Sequence, residues 1–143
     1  MKRRNFLALT GAAGLSFSAA FADTISAKTE VKVYEYTFLK SIDAKPDNLV
    51  KFIAENWFAM DKIAVKKGLM VNYSMFETSG NAGDWNVVVA VGYPTEKGYE
   101  AIAAEFEKIR QQHKKVLIDG KDLRELGKIV GSQKFFPRET SED

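Results

Sequence analysis

The chain has 143 residues, with 21 Lys+Arg against 19 Asp+Glu, a single histidine and no cysteine. The missing cysteine excludes disulfides, thiolate metal sites, cysteine nucleophiles and a lipid anchor at a Cys. One histidine excludes a multi-histidine metal site within one chain, and no metal site is expected.

The formal net charge of +2 is concentrated at the start. Lys2, Arg3 and Arg4 precede an uncharged run from Asn5 to Ala22, in which Leu7, Leu9, Leu15, Phe17 and Phe21 are diluted by glycine and serine. The run ends Ala20-Phe21-Ala22, the small-x-small pattern that a signal peptidase accepts. Residues 1–22 therefore read as an export signal, with Arg3 and Arg4 as its charged head and Ala20 and Ala22 as its cleavage site. The pair Arg3-Arg4 ahead of x-Phe-Leu resembles the twin-arginine export motif. The expected location is the bacterial periplasm or the exterior. The run is too short and too rich in Gly and Ala to span a bilayer, which takes roughly 20 apolar residues. Without the signal, Lys+Arg falls from 21 to 18 against 19 Asp+Glu, a net charge of −1. The positive charge belongs to the signal, and a nucleic-acid partner loses its electrostatic basis.

Residues 23–29 form a polar leader. From Glu30 to Lys40, β-branched and aromatic residues alternate as a strand requires. Val31, Val33 and Leu39 fall on one face, and Tyr34, Tyr36 and Phe38 on the other. Pro46 and Asp47 open a helix predicted to run to Lys67, because Leu49, Ile53, Trp57, Met60 and Ala64 recur every three or four residues. Gly68 is its expected C-cap. Leu69 to Thr78 is a second strand, the turn 79–83 follows, and Asp84 to Tyr93 is a third strand. In that strand Trp85, Val87, Val89, Val91 and Tyr93 alternate with apolar Val88 and Ala90. Pro94-Thr95-Glu96 opens a second helix, with Thr95 as N-cap, that carries Tyr99, Ile102, Phe106, Ile109 and His113 on one stripe. A short helical piece, 122–126, and a last strand within 128–136 complete the domain, 30–136. Residues 137–143 are a polar tail.

Strand, helix, strand, strand, helix, strand is the order of the ferredoxin-like α+β plait, with both helices on one face of an antiparallel sheet. The first and third strands are apolar on both faces, so both faces need cover. A second copy of the chain, sheet to sheet, is the simplest cover for the face without helices, and a homodimer is expected. In this element order, in the opening strand Val31-Lys32-Val33-Tyr34-Glu35-Tyr36 and in the strand Asp84-Trp85-Asn86-Val87-Val88-Val89, the chain resembles the dimeric α+β barrel superfamily. Its members include monooxygenase-like, NIPSNAP-like and stress-responsive families. The resemblance implies a barrel of two sheets and a ligand cavity between sheet and helices. It assigns no functional residue.

His113 is the one candidate imidazole, either as a general base or as an axial haem ligand. Its plain alternative is a helix-end residue packed on the core. Glu35, mid-strand on the side of Val33 and Thr37, is either a cavity acid or base or one half of a salt bridge, because a half-buried carboxylate is costly unless paired or wet. Asp61 and Asp84 read as a helix-flank charge and a strand-start residue. Tyr34, Tyr36, Trp57, Asn72, Trp85 and Tyr93 are the candidates for an aromatic-lined pocket suited to a flat or apolar ligand. No phosphate loop, dinucleotide-binding glycine pattern, serine-nucleophile elbow or zinc-protease motif appears. The expected activity is binding of a small apolar or aromatic molecule without a cofactor. The alternatives are a cofactor-independent oxygenase or isomerase, or a haem-binding barrel.

Overall fold

A computed structural model describes residues 29–80 and 83–141. The predicted export signal, with Arg3, Arg4, Ala20 and Ala22, and leader residues 23–28 lie outside the described residues. The elements run β1 (Val33–Ser41), α1 (Asp47–Phe52), a π-helical turn (Ile53–Trp57), α2 (Phe58–Lys66), β2 (Asn72–Glu77), β3 (Val87–Tyr93), α3 (Tyr99–Gln112), the single turn α4 (Leu123–Leu126) and β4 (Gly127–Phe135). The strands form one sheet in the order β2-β3-β1-β4, and every neighbouring pair is antiparallel. β1 and β2 are joined through helix and separated by β3, which is the split βαβ arrangement of the ferredoxin-like plait. Among the described residues no helix is long and apolar enough to cross a membrane.

Alternation assigns the two faces. In the β1–β3 register Val33 faces Tyr93, Glu35 faces Val91, Thr37 faces Val89 and Leu39 faces Val87. These residues, with Tyr73 and Met75 of β2, point toward the helices, and all but Glu35 and Thr37 build the core with Leu49, Phe52, Ile53, Ala64, Ile102 and Phe106. The intervening residues, Tyr34, Tyr36 and Phe38 of β1 with Val88 and Ala90 of β3, form the opposite face.

The first helix is not the uninterrupted α-helix that its periodicity predicts. Residues 53–57 bond as a π turn between α1 and α2. Asn56 sits within it and donates from Nδ2 to the Phe52 carbonyl at 3.0 Å and to the Val116 carbonyl at 2.8 Å. A side-chain donor thus serves a backbone acceptor where the α-helical ladder is broken. Gly68, at φ +76°, ends α2 in the left-handed conformation expected of a helix stop.

Two local expectations are corrected. β3 begins at Val87, not Asp84, and Trp85 does not share the face of Val87. Asn86 is turned inward, its amide N–H donating to the Leu39 carbonyl, its Oδ1 accepting from the Ser41 amide and its Nδ2 donating to Ser41 Oγ. That anchor precedes the ladder, so strand alternation does not reach back to Trp85, whose ring packs on Phe38 across the other face at 4.9 Å. The second helix begins at Tyr99 rather than beside Thr95. Residues 94–98 form a turn closed by the Gly98 amide on the Thr95 carbonyl.

Candidate functional site

Between the sheet and the helices lies a cavity of about 330 Å³. β1 contributes Glu35 and Thr37, and β3 contributes Val89, Val91 and Tyr93. Trp57, Met60 and Asp61 descend from the first helical stretch, while Tyr99, Phe106 and Arg110 approach from α3. Its size falls at the lower end of small-molecule sites, about 300–1,000 Å³, and a mainly aromatic and aliphatic wall with a few convergent polar groups is typical of them.

Asp61 is the residue that sequence reasoning placed wrongly. It was expected on the helix flank, but only 6% of it is exposed and it lines the cavity. At 3.6 residues per turn, Asp61 would stand about 120° around the helix from core residue Leu49. It stands only about 40° from Trp57 and about 60° from Ala64, however, so it lies at the edge of the inward-facing stripe and borders the cavity. No hydrogen bond or ion pair reaches its carboxyl among the described residues. Removal from water without a partner raises its pKa from 3.8 to about 7. Tyr93, also buried, has its phenol pKa raised by burial first and then by the negative fields of Glu35 and Asp61. The inner end of the cavity therefore has two acidic side chains and a phenol close enough to feel both.

Glu35 lines the same cavity and does a second job there. Its Oε2 accepts the backbone N–H of Tyr99, the first residue of α3, at 2.6 Å. A carboxylate at a helix N-terminus answers both an orphan amide and the positive end of the helix dipole. Gly98, at φ +63°, is needed for this contact, because a Cβ there would overlap the Glu35 carboxylate. The cap comes from a residue 64 positions away, which is why local sequence pointed to Thr95 instead.

Of the other predicted pocket residues, Trp57 and Tyr93 line the cavity. His113 does not. It follows the last residue of α3, where Nε2 stands 3.0 Å from Asn56 Oδ1. That oxygen also accepts the Val116 amide at 2.7 Å, which fixes it as an acceptor and makes Nε2 the donor. His113 thus ties the end of α3 to the π turn. Among the described residues no group of three His, Asp or Glu side chains is placed to hold a metal ion.

Tyr34, Tyr36, Asn72 and Trp85 lie on the sheet's other face. There Tyr34 meets Tyr36 edge-on at 6.4 Å, Tyr36 packs on Phe135 at 4.6 Å and Phe38 packs on Trp85. Asn72 pairs with Gly92 beside Tyr34. The aromatic tier buries Val88 and Ala90 from its own chain, while Phe76 nearby stays 55% exposed.

No protein-family model matches the chain, and no curated protein matches it in sequence. Two solved structures resemble it. HapK from Hahella chejuensis superposes with a TM-score of 0.51 at 10% identity, over 78% of this chain and 97% of that one. A dimeric ferredoxin-like protein from an uncultured marine organism has a TM-score of 0.49 at 11% identity, over 83% of this chain and 96% of its own. At such identities the likeness is one of fold. By fold, the chain is a ferredoxin-like α+β plait.

Proposed function

We propose that the protein binds a small molecule with an aromatic or apolar body in the cavity between sheet and helices, with Asp61 as its polar anchor. The observation that carries this reading is a buried carboxyl with no protein partner in an aromatic-walled cavity. Burying such a group is costly, and a strongly perturbed group in a cleft is a mark of functional sites. A ligand that bonds to Asp61 removes the penalty. The test is tryptophan fluorescence. The chain has two tryptophans, Trp57 in the cavity and Trp85 on the opposite face. In Trp85→Phe, titration with a panel of small aromatic compounds is expected to give a saturable change in Trp57 emission. A flat response across the panel rejects the reading. A carboxyl that ionises near neutral pH also suits general acid–base catalysis, so proton transfer on the bound molecule is the second reading. In that case Asp61→Asn keeps binding and loses turnover.

We further propose that two copies pair through the aromatic face of the sheet, supported by the exposure on one chain of Phe76 and Phe135, which the register places on that face. Contiguous apolar surface of this kind marks interaction sites. Residues 1–22 are proposed to direct export to the periplasm. Periplasmic accumulation undiminished by replacing Arg3 and Arg4 with lysine rejects the twin-arginine route.

A further inference from the structure

We infer that the ligand of the cavity is a small organic cation, an amine or quaternary ammonium group carried on an aromatic or apolar body, seated with its charge against Asp61 and Glu35. The inference rests on the ligand-binding reading above and specifies the ligand's chemical class.

Charge and shape point the same way. Two carboxyl groups share one cavity, and among the described residues neither is paired with a basic side chain. Glu35 binds the Tyr99 amide through Oε2. Among the described residues Arg110 is the one basic residue on the wall, and its charge is already engaged at the rim. It pairs with Glu107, donates to the Tyr99 hydroxyl at 3.1 Å, and its side chain is 51% exposed. The Arg110 guanidinium also lies over the Phe106 ring, 5.5 Å from its centroid, so one aromatic wall of the cavity already carries a cation. Trp57 and Tyr93 offer further aromatic surface beside Asp61. Cations favour the faces of aromatic rings, most of all where water is excluded. An anionic ligand would meet two carboxyl groups, and a neutral hydrocarbon would leave Asp61 without a partner.

Binding then changes the protonation of Asp61. The free protein releases this proton only near neutral pH because of burial. A bound cation favours the ionised form, so binding expels the proton and tightens as pH rises through that range. The titratable and charged groups facing the cavity with Asp61 are Glu35 of β1, Tyr93 of β3, and Tyr99 and Arg110 of α3.

The experiment compares three probes by calorimetry on the full chain and by Trp57 fluorescence in Trp85→Phe. They are benzyltrimethylammonium, its uncharged isostere neopentylbenzene, and phenylacetate. Benzyltrimethylammonium is expected to bind about tenfold tighter than the isostere. It should also bind more tightly at pH 8 than at pH 6, with proton release at pH 6, and weaken about tenfold in Asp61→Asn. If the isostere or phenylacetate binds as well as the cation, the cation assignment is overturned and the cavity remains a binding site. If none of the three binds, the ligand-binding reading falls with it. The wild-type preference among probes decides the matter even where Asp61→Asn does not fold.

Discussion

The two faces of this sheet are made by alternate residues of the same strands, yet they are finished differently. Toward the helices, Val33, Leu39, Val87 and Val89 are fully or almost fully enclosed, and their layer is interrupted by Glu35, Thr37 and the cavity above them. On the other face the rings of Tyr34, Tyr36, Phe38, Trp85 and Phe135 pack on one another across strands, and no helix of the described residues covers them. Both faces are rich in apolar side chains, but among the described residues only the helix side holds a buried acid. Hydrophobicity alone therefore does not locate the site. What separates the faces is a polar group kept where water is excluded and no protein partner is supplied.

Truncation on each side tests this contrast with the largest effect. Leu39, of which 0% is exposed, meets the helix-side core, whereas its neighbour Phe38 points to the aromatic face. Leu39→Ala is expected to lower unfolding free energy by about 2–5 kcal/mol, as cavity-forming core substitutions do. Phe38→Ala should cost less within one chain and act mainly on association. Denaturant unfolding measures the first effect, and light scattering over a concentration series measures the second. If Phe38→Ala leaves the molecular mass unchanged at a dimer value, the proposed interface is wrong. A monomer mass for the wild type at every concentration rejects the dimer itself.

The second contrast is in pH. Asp61 ionises near 3.8 in the unfolded chain and near 7 in the folded one. Between these values the folded protein holds a proton that the unfolded chain has lost, so stability falls as pH rises through this window. Below it both forms are protonated, and above it the whole penalty is present. At 1.36 kcal/mol per pKa unit the penalty approaches about 4 kcal/mol as an upper bound. Asp61→Asn lacks this titration. Relative to wild type, the variant should therefore gain stability steadily between pH 4 and pH 8. Comparing the two chains cancels the titrations that they share. An equal stability difference at pH 4 and pH 8 would refute the assignment of Asp61 as a buried, unpartnered acid.

How much of this was legible in the sequence follows from the range of each interaction. β1, β3 and their faces could be read because the period of two runs through residues 33–39 and 87–93 without a break. The element order then gave the plait, and Glu35 was assigned to the correct side by the same rule. Asp61 was hidden because a helical wheel sets it at the edge of the apolar stripe, where a charged residue ordinarily reads as a flank charge, and only the tertiary packing shows that this edge is enclosed. Asn56 was the available hint of the π turn, a short polar side chain at the i+4 position from Phe52 within an apolar stripe. The roles of Glu35 and Gly98 at the start of α3 depend on a contact spanning 64 positions, beyond any local signal. Trp85 was assigned to the wrong face by carrying alternation two residues past the ladder.

The smallest effect concerns His113, and it tests whether the site belongs to the cavity at all. His113 donates to Asn56 Oδ1, and that oxygen keeps a second donor in the Val116 amide. His113→Ala therefore removes one hydrogen bond without leaving the Asn56 acceptor unsatisfied, at an expected cost of about 0.5–1.5 kcal/mol. Asn56→Ala takes away the partners of the Phe52 carbonyl, the Val116 carbonyl, the Val116 amide and His113 together. Its cost should be severalfold larger, because three backbone groups and the imidazole lose a partner at once. Thermal unfolding ranks the two. Ligand affinity supplies the independent readout, since neither residue lines the cavity and His113→Ala should leave binding of the aromatic probes within about twofold of wild type. A loss of tenfold or more in His113→Ala, with stability barely changed, would instead move the binding site to the end of α3.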